Sequence, residues 1–273
     1  MSGPILIFDS GVGGLSVVTA LHEWLPGAPL AYVCDNAALP YGTKPAPWLV
    51  TRIVRVCEAA VEASAARVLV VACNTASTLA LAALRERLTI PVVGTVPAIK
   101  PAAARSRSGT IGLLATSATV SRAYTDKLIA DFAVGCTVLR VAADPLVEQA
   151  ERLLAGAPLD DAAISAALAP LWAVPELDTV VLGCTHFPLL RDVLAAAAPR
   201  PLQWVDSGSA IARRVAQVMG PVTASPCRLP PPSWATDPGR PGLVRGLASF
   251  GFSAPAPLDA ILPAFVSPWP GTD

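Results

Sequence analysis

The feature that most constrains this chain is a repeated design. A short run of apolar residues ends in a small residue, a cysteine and then polar side chains. It occurs as Val70-Val71-Ala72-Cys73-Asn74-Thr75 and again as Val180-Val181-Leu182-Gly183-Cys184-Thr185. Each copy has an earlier companion ending in short polar groups: Ile5-Leu6-Ile7-Phe8-Asp9-Ser10 and Ile111-Gly112-Leu113-Leu114-Ala115-Thr116. Asp9 precedes Cys73 by 64 residues, and Thr116 precedes Cys184 by 68. Short, continuous apolar runs of this kind read as strands buried on both faces, which a parallel sheet flanked by helices requires.

Read along the chain, strands are expected at residues 5–8, 31–34, 68–72, 91–94, 110–114, 136–141 and 179–182. Helical periodicity is expected at 15–25, 48–65, 77–88, 121–132, 145–155 and 160–171. The fold class is therefore α/β, with two pseudo-symmetric domains built on mostly parallel central sheets. The first domain combines residues 1–96 with 206–252, and the second covers 97–205. Ligands of open α/β sheets bind beyond the carboxyl ends of the strands, so a cleft between the halves would bring the two thiols face to face. From residue 221 onward the chain changes character, and residues 221–273 hold 12 of its 28 prolines. A short element near 234–236 and a helix near 243–249 are expected there, followed by a Pro-rich tail over 253–273.

Composition narrows the class. The 273 residues are 53% hydrophobic and 15% charged, with 20 basic residues against 20 acidic ones. A chain this apolar collapses rather than staying solvated. Zero net charge argues against a nucleic-acid partner or an anionic membrane. The mean hydropathy is +0.54. Yet the longest uncharged stretch, residues 68–84, is 17 long and polar in its middle, so no membrane span is expected. The N-terminus lacks a signal peptide's basic start and long apolar core, so the expected location is cytoplasmic. Six cysteines without C-x-x-C spacing suggest neither a disulfide scaffold nor a zinc site.

Three constellations could carry chemistry. Asp9-Ser10-Gly11-Val12-Gly13-Gly14 joins a strand to a helix, and its glycines would let the backbone pass close to a ligand while the helix start favours an anion. By itself it is also a tight turn, and it matches neither G-x-G-x-x-G nor a P-loop. Cys73 precedes Asn74, Thr75 and Ser77 at a helix start, a setting that would lower the thiol pKa and bind a carboxylate. Cys184-Thr185-His186 repeats the arrangement with an imidazole, one of two in the chain. The other, His22, lies in a helix and reads as surface or packing. Pro40-Tyr41-Gly42 is a turn after Asp35-Asn36. Cys34, Cys57, Cys136 and Cys227 lack polar neighbours of this kind and read as packing residues.

Together these motifs resemble the glutamate racemase family, within the aspartate/glutamate racemase superfamily. The resemblance runs from Asp9-Ser10 through Asp35-Asn36, Pro40-Tyr41-Gly42, Ala72-Cys73-Asn74-Thr75-Ala76-Ser77 and Val93-Gly94…Pro97-Ala98. It continues through Leu182-Gly183-Cys184-Thr185-His186-Phe187-Pro188 to Asp206-Ser207, and covers roughly residues 4 to 252. It implies a cofactor-independent, metal-free enzyme with glutamate as its small-molecule substrate and a role in supplying D-glutamate for peptidoglycan. It also allows a homodimer without fixing one.

Racemisation removes the Cα proton from one face and returns one to the other, so two acid–base groups should flank the substrate. By resemblance, Cys73 acts on one enantiomer beside Asp9, and Cys184 acts on the other beside His186. Substrate groups would be held by Ser10, Pro40, the backbone amides of Tyr41 and Gly42, and by Asn74, Thr75, Thr185 and His186. The family also places a glutamate near the second cysteine, at the end of a Pro-Leu-Val-Glu run. Pro145-Leu146-Val147-Glu148 matches it, making Glu148 the first candidate and Glu151, one turn on, the second. Pyridoxal phosphate would need a Schiff-base lysine, and the few lysines lack a matching context. The competing readings are an aspartate or hydantoin racemase, a non-catalytic amino-acid-binding protein, and a redox pair of thiols.

Overall fold

The computed structural model describes residues 3–220 and 229–258. Four strands open the first sheet: β1 (Ile5–Asp9), β2 (Leu30–Cys34), β3 (Val68–Val71) and β4 (Val92–Gly94). Four more form the second: β5 (Thr110–Ala115), β6 (Thr137–Ala142), β7 (Thr179–Leu182) and β8 (Gln203–Val205). The chain then returns to the first sheet as β9 (Ser233–Ala235) and β10 (Ala256–Pro257). The sheet orders are β10-β9-β2-β1-β3-β4 and β6-β5-β7-β8, and the pairings among the described residues are parallel. The protein thus consists of two parallel-sheet α/β domains, and the order 2-1-3-4 recurs as 6-5-7-8.

The apolar runs explain the layering. Ile5, Leu6, Ile7 and Phe8 of β1 are wholly buried, alternately joining the cores on the two faces of the first sheet. Each such side chain contributes roughly 1.5–3 kcal/mol on burial, which a strand with a solvated face could not collect at every position. Leu114 and Val180 face one core of the second sheet, and Leu113 and Val181 the other. In both sheets the central strand leads outward on one side and then back on the other. This leaves a crevice at the carboxyl ends of β1 and β3, and of β5 and β7.

The repeat is kept at atomic detail. Ala72 N–H donates to the Phe8 carbonyl at 2.8 Å, and Gly183 N–H donates to the Leu114 carbonyl at 2.8 Å. Cys73 and Cys184 therefore each follow the last residue of β3 or β7 by two positions. A Cβ on Gly183 would lie 2.9 Å from Leu113 Cδ1 and 3.0 Å from Ala115 Cβ, so the strand end needs a glycine to pack.

Several expectations shift. The helix expected from residue 77 starts at Asn74 (Asn74–Arg87), directly after Cys73. The helix expected over 121–132 is two pieces, Ser117–Val120 and Ala123–Phe132. Helices Ile99–Arg105, Arg191–Ala196 and Gly208–Met219 and the short strands β8 and β10 have no counterpart in the sequence reading. Gly208–Met219 packs on Leu15–Trp24, burying Ile211, Ala212 and Val215. Part of the segment read as a tail is built into the fold: Ala256–Pro257 pairs with β9, and Leu258 is fully buried. Residues 259–273 and Cys227 lie outside the described residues.

Candidate active site

Between the sheets lies a cavity of about 380 Å³. Cys73 and Cys184 both line it, together with Ser10, Pro40, Tyr41, Gly42, Asn74, Thr75, Glu148, Glu151, Thr185 and His186. Among the expected site residues only Asp9 is absent from the lining. It is fully buried, 3.5 Å from the Ser10 hydroxyl. Of the residues set aside, Cys34 and Cys57 are buried, Cys136 is half-buried and His22 is exposed.

The first half places an acid, a hydroxyl and a thiol in series. Ser10 Oγ lies 3.6 Å from Cys73 Sγ. Asp9 Oδ1 accepts from Gly11 N–H at 2.9 Å, and Asp9 Oδ2 accepts from the Thr185 hydroxyl at 2.9 Å. Burial raises the Asp9 carboxyl pKa, against the opposing charge of His186 and these two donors. The helix start at Cys73 does not lower its thiol as expected. Burial, reinforced by the Asp9 charge, pushes it up to about 12, and the Ala76 N–H and Ser10 hydroxyl recover only part of that.

The second half is built differently. Cys184 Sγ lies 3.8 Å from His186 Nδ1, and His186 Nε2 lies 2.9 Å from Glu151 Oε1. Burial alone would lower the imidazole, but hydrogen bonds to Cys184 and Glu151 and their charges hold it well above its ordinary value. Burial would raise Glu151, yet its hydrogen bond to His186, the imidazolium charge and the Val12 N–H leave it lowered. The Glu151 carboxyl group, the His186 imidazole and the Cys184 sulfur thus stand in series.

Glu151, not Glu148, therefore makes the contact with His186. Both line the cavity, but Glu148 is exposed and pairs only loosely with Arg152 at 3.9 Å, one turn along its own helix. The helix Pro145–Ala155 turns the later residue inward, towards the glycine-rich turn. That turn also differs from expectation. Val12 N–H donates to Glu151 Oε1 at 3.0 Å, so the anion at this backbone is a side chain of the other half. A Cβ on Gly11 would sit 2.3 Å from Glu151 Oε1, and one on Gly13 would sit 2.5 Å from His186 Nδ1. The glycines make room for protein.

Asp35 organises the opposite wall. Its carboxylate accepts from Tyr41 Oη at 2.7 Å, from Arg52 Nε and Nη2 at 2.6 Å each, and from Thr236 Oγ1 at 2.8 Å. The Tyr41 hydroxyl is thus engaged within the protein, and Tyr41 and Gly42 both line the cavity. Sequence reasoning missed Thr116, Thr119, Asp144 and Arg240, which also line it. Asp144 accepts from Ser117 N–H and Oγ at 3.0 Å each, holding the start of the short helix Ser117–Val120. Arg240 stands in the Pro-rich return segment, where no periodicity marks it.

The model of the Asp/Glu/Hydantoin racemase family matches residues 6–215. The chain belongs to this family. A glutamate racemase of Shewanella loihica is 46% identical over 264 residues, spanning 96% of this racemase and 99% of the relative. One of Pectobacterium carotovorum is 51% identical over 213 residues, 78% of this chain and 75% of that one. Among solved structures, Escherichia coli glutamate racemase in complex with L-glutamate and the activator UDP-MurNAc-Ala superposes with a TM-score of 0.85 at 43% identity. That match covers 92% of this racemase and 96% of the E. coli chain. The protein is an amino-acid racemase. No helix among its described residues is long and apolar enough to cross a membrane.

Proposed function

We propose that this racemase interconverts L- and D-glutamate without a cofactor, by proton transfer at Cα between Cys73 and Cys184. The observation that carries the reading is the pairing of these cysteines at equivalent strand ends of two domains, on one cavity of about 380 Å³. Each thiol has its own acid–base partner: Asp9 through Ser10 for Cys73, and His186 with Glu151 for Cys184. A thiolate on one side takes the Cα proton as its S–H bond forms. The thiol on the other side gives its proton to the opposite face, so the enzyme ends with its proton moved from one sulfur to the other. The reverse reaction starts from that state, so two groups serve both directions.

The substrate's carboxylates would be held by Ser10, the amides of Tyr41 and Gly42, and by Asn74, Thr75 and Thr185, which line the same cavity. The curated relatives near 50% identity carry the glutamate name, which favours glutamate over aspartate or a hydantoin. In this reading the D-glutamate supplies peptidoglycan synthesis in the cytoplasm.

The test is solvent deuterium incorporation at Cα from L- and D-glutamate, with L-aspartate and a hydantoin as controls. Wild type should exchange both glutamate enantiomers. Cys73→Ala and Cys184→Ala should racemise neither, while the Cys→Ser forms keep residual one-sided exchange. Near-normal turnover in either alanine variant would sink the two-thiol mechanism, and preferred exchange of a control would reassign the substrate.

A further inference from the structure

We propose that Arg240 is a substrate-selecting residue, the fixed positive wall that favours an amino acid carrying a second carboxylate. The inference rests on the glutamate reading above. Among the described residues lining the cavity, Arg240 is the only lysine or arginine, whereas Asp144, Glu148 and Glu151 are acids. An anionic substrate entering such a wall needs a compensating charge: His186 also lines it but is paired with Glu151 at 2.9 Å, and the remaining groups proposed to bind the substrate are neutral donors.

The guanidinium is held, not loose. Asn36, which is 2% exposed, donates from Nδ2 to the Asp237 carbonyl at 2.7 Å and accepts from Asp237 N–H at 2.9 Å. Arg240 N–H closes the turn onto the Asp237 carbonyl at 3.4 Å. Arg240 Nη1 donates to the Asn36 carbonyl at 3.0 Å, which engages a single donor of a group that carries several. The Asp35-Asn36 pair thus fixes both sides of the wall: Asp35 holds Tyr41, and Asn36 holds the turn bearing Arg240. Arg240, Glu148 and Glu151 also border an adjoining cavity of about 330 Å³, so Arg240 stands where the two meet. Its charge reaches Glu151, helping to keep that carboxylate ionised.

The test compares wild type, Arg240→Met and Arg240→Lys in racemisation of both glutamate enantiomers at two ionic strengths. The same three proteins are titrated calorimetrically with glutarate, a dicarboxylate without a chiral centre. Loss of one partly exposed charge-assisted contact should raise KM and weaken glutarate binding about tenfold, with kcat within about threefold. Arg240→Lys should recover most of the loss. Raising salt from about 20 to about 200 mM should raise the wild-type KM and leave that of Arg240→Met nearly unchanged. Unchanged KM and glutarate affinity in Arg240→Met would overturn the proposal. So would a fall in kcat at constant KM, which would mean that Arg240 acts through Glu151. Wild type that binds glutarate in an Arg240-dependent way but exchanges neither glutamate enantiomer would uphold the cationic wall and reject the glutamate reaction.

Discussion

The Thr185 hydroxyl donates to Asp9 Oδ2 at 2.9 Å, joining residues 176 positions apart. Thr185 follows Cys184 and Asp9 precedes Ser10, so this one bond ties the thiol segment of one half to the acid of the other. Ser16 adds a second tie, its hydroxyl donating to the Thr185 carbonyl at 2.9 Å. The Asp9 and Cys184 segments are thereby held in one frame.

Replacing Thr185 with Val should leave a buried Asp9 carboxylate short of a donor, a loss worth about 1.5–3 kcal/mol for a charged acceptor. Its carboxyl should rise further, and kcat should fall about tenfold or more in both directions. Steady-state kinetics with each enantiomer checks this. Because the two enantiomers are equal in energy, kcat/KM must fall by one common factor.

Glu151→Gln should lower kcat by about a hundredfold, the scale of a lost general acid–base partner, whereas Glu148→Gln should stay within about twofold. An NMR titration of His186 supplies an independent readout. The imidazole should titrate well above its ordinary value in wild type and fall back in Glu151→Gln only.

The ion pair should also shape stability with pH. His186 is raised above its reference of 6.5, so its contribution is complete below that pH and fades as pH rises through the folded value. Glu151 is lowered from 4.5, so its contribution is complete above that pH and is lost on acidification through the folded value. The difference in Tm between wild type and His186→Gln should therefore be largest between these two references and shrink on either side. A difference flat with pH would contradict the pair.

Alkylation should discriminate the thiols. With a pKa pushed up to about 12, Cys73 exposes roughly one thiolate in ten thousand at pH 8, and it is 7% exposed. Cys184 is half-buried and lies 3.8 Å from the Nδ1 of His186, whose pKa is raised well above its ordinary value by hydrogen bonds to Cys184 and Glu151. Limited iodoacetamide followed by peptide mapping should find Cys184 labelled first, with glutamate protecting it. Preferential labelling of Cys73 would refute this assignment.

Arg52→Met should destabilise the protein by about 3–5 kcal/mol, because it strands the fully buried Asp35 carboxylate. Denaturant unfolding measures this. In protein that still folds, the KM should rise because Tyr41 shares the same carboxylate.

The strands, the helices that follow them and the two cysteines were legible because each is written locally. A run such as Ile5–Phe8 has no stable place except a sheet buried on both faces, and its small and polar followers mark the strand end. The short elements were not legible: β8 and β10 are three and two residues long and carry no period. The helix Gly208–Met219 has no counterpart in the sequence reading, although Asp206 Oδ1 accepts from Gly208 N–H at 2.8 Å at its start.

By itself, then, the sequence determined an α/β chain of two repeated halves, each presenting a cysteine at the carboxyl end of an equivalent strand. Only the tertiary structure decided that Glu151 rather than Glu148 meets His186, that Gly11 and Gly13 yield space to those side chains, and that Arg240 returns to the cavity. It also reversed the expectation for Cys73. A helix start lowers a thiol pKa through nearby backbone dipoles, which the local sequence encodes. Burial and the Asp9 charge act through everything packed around the sulfur, and that sum exists only once both halves have come together.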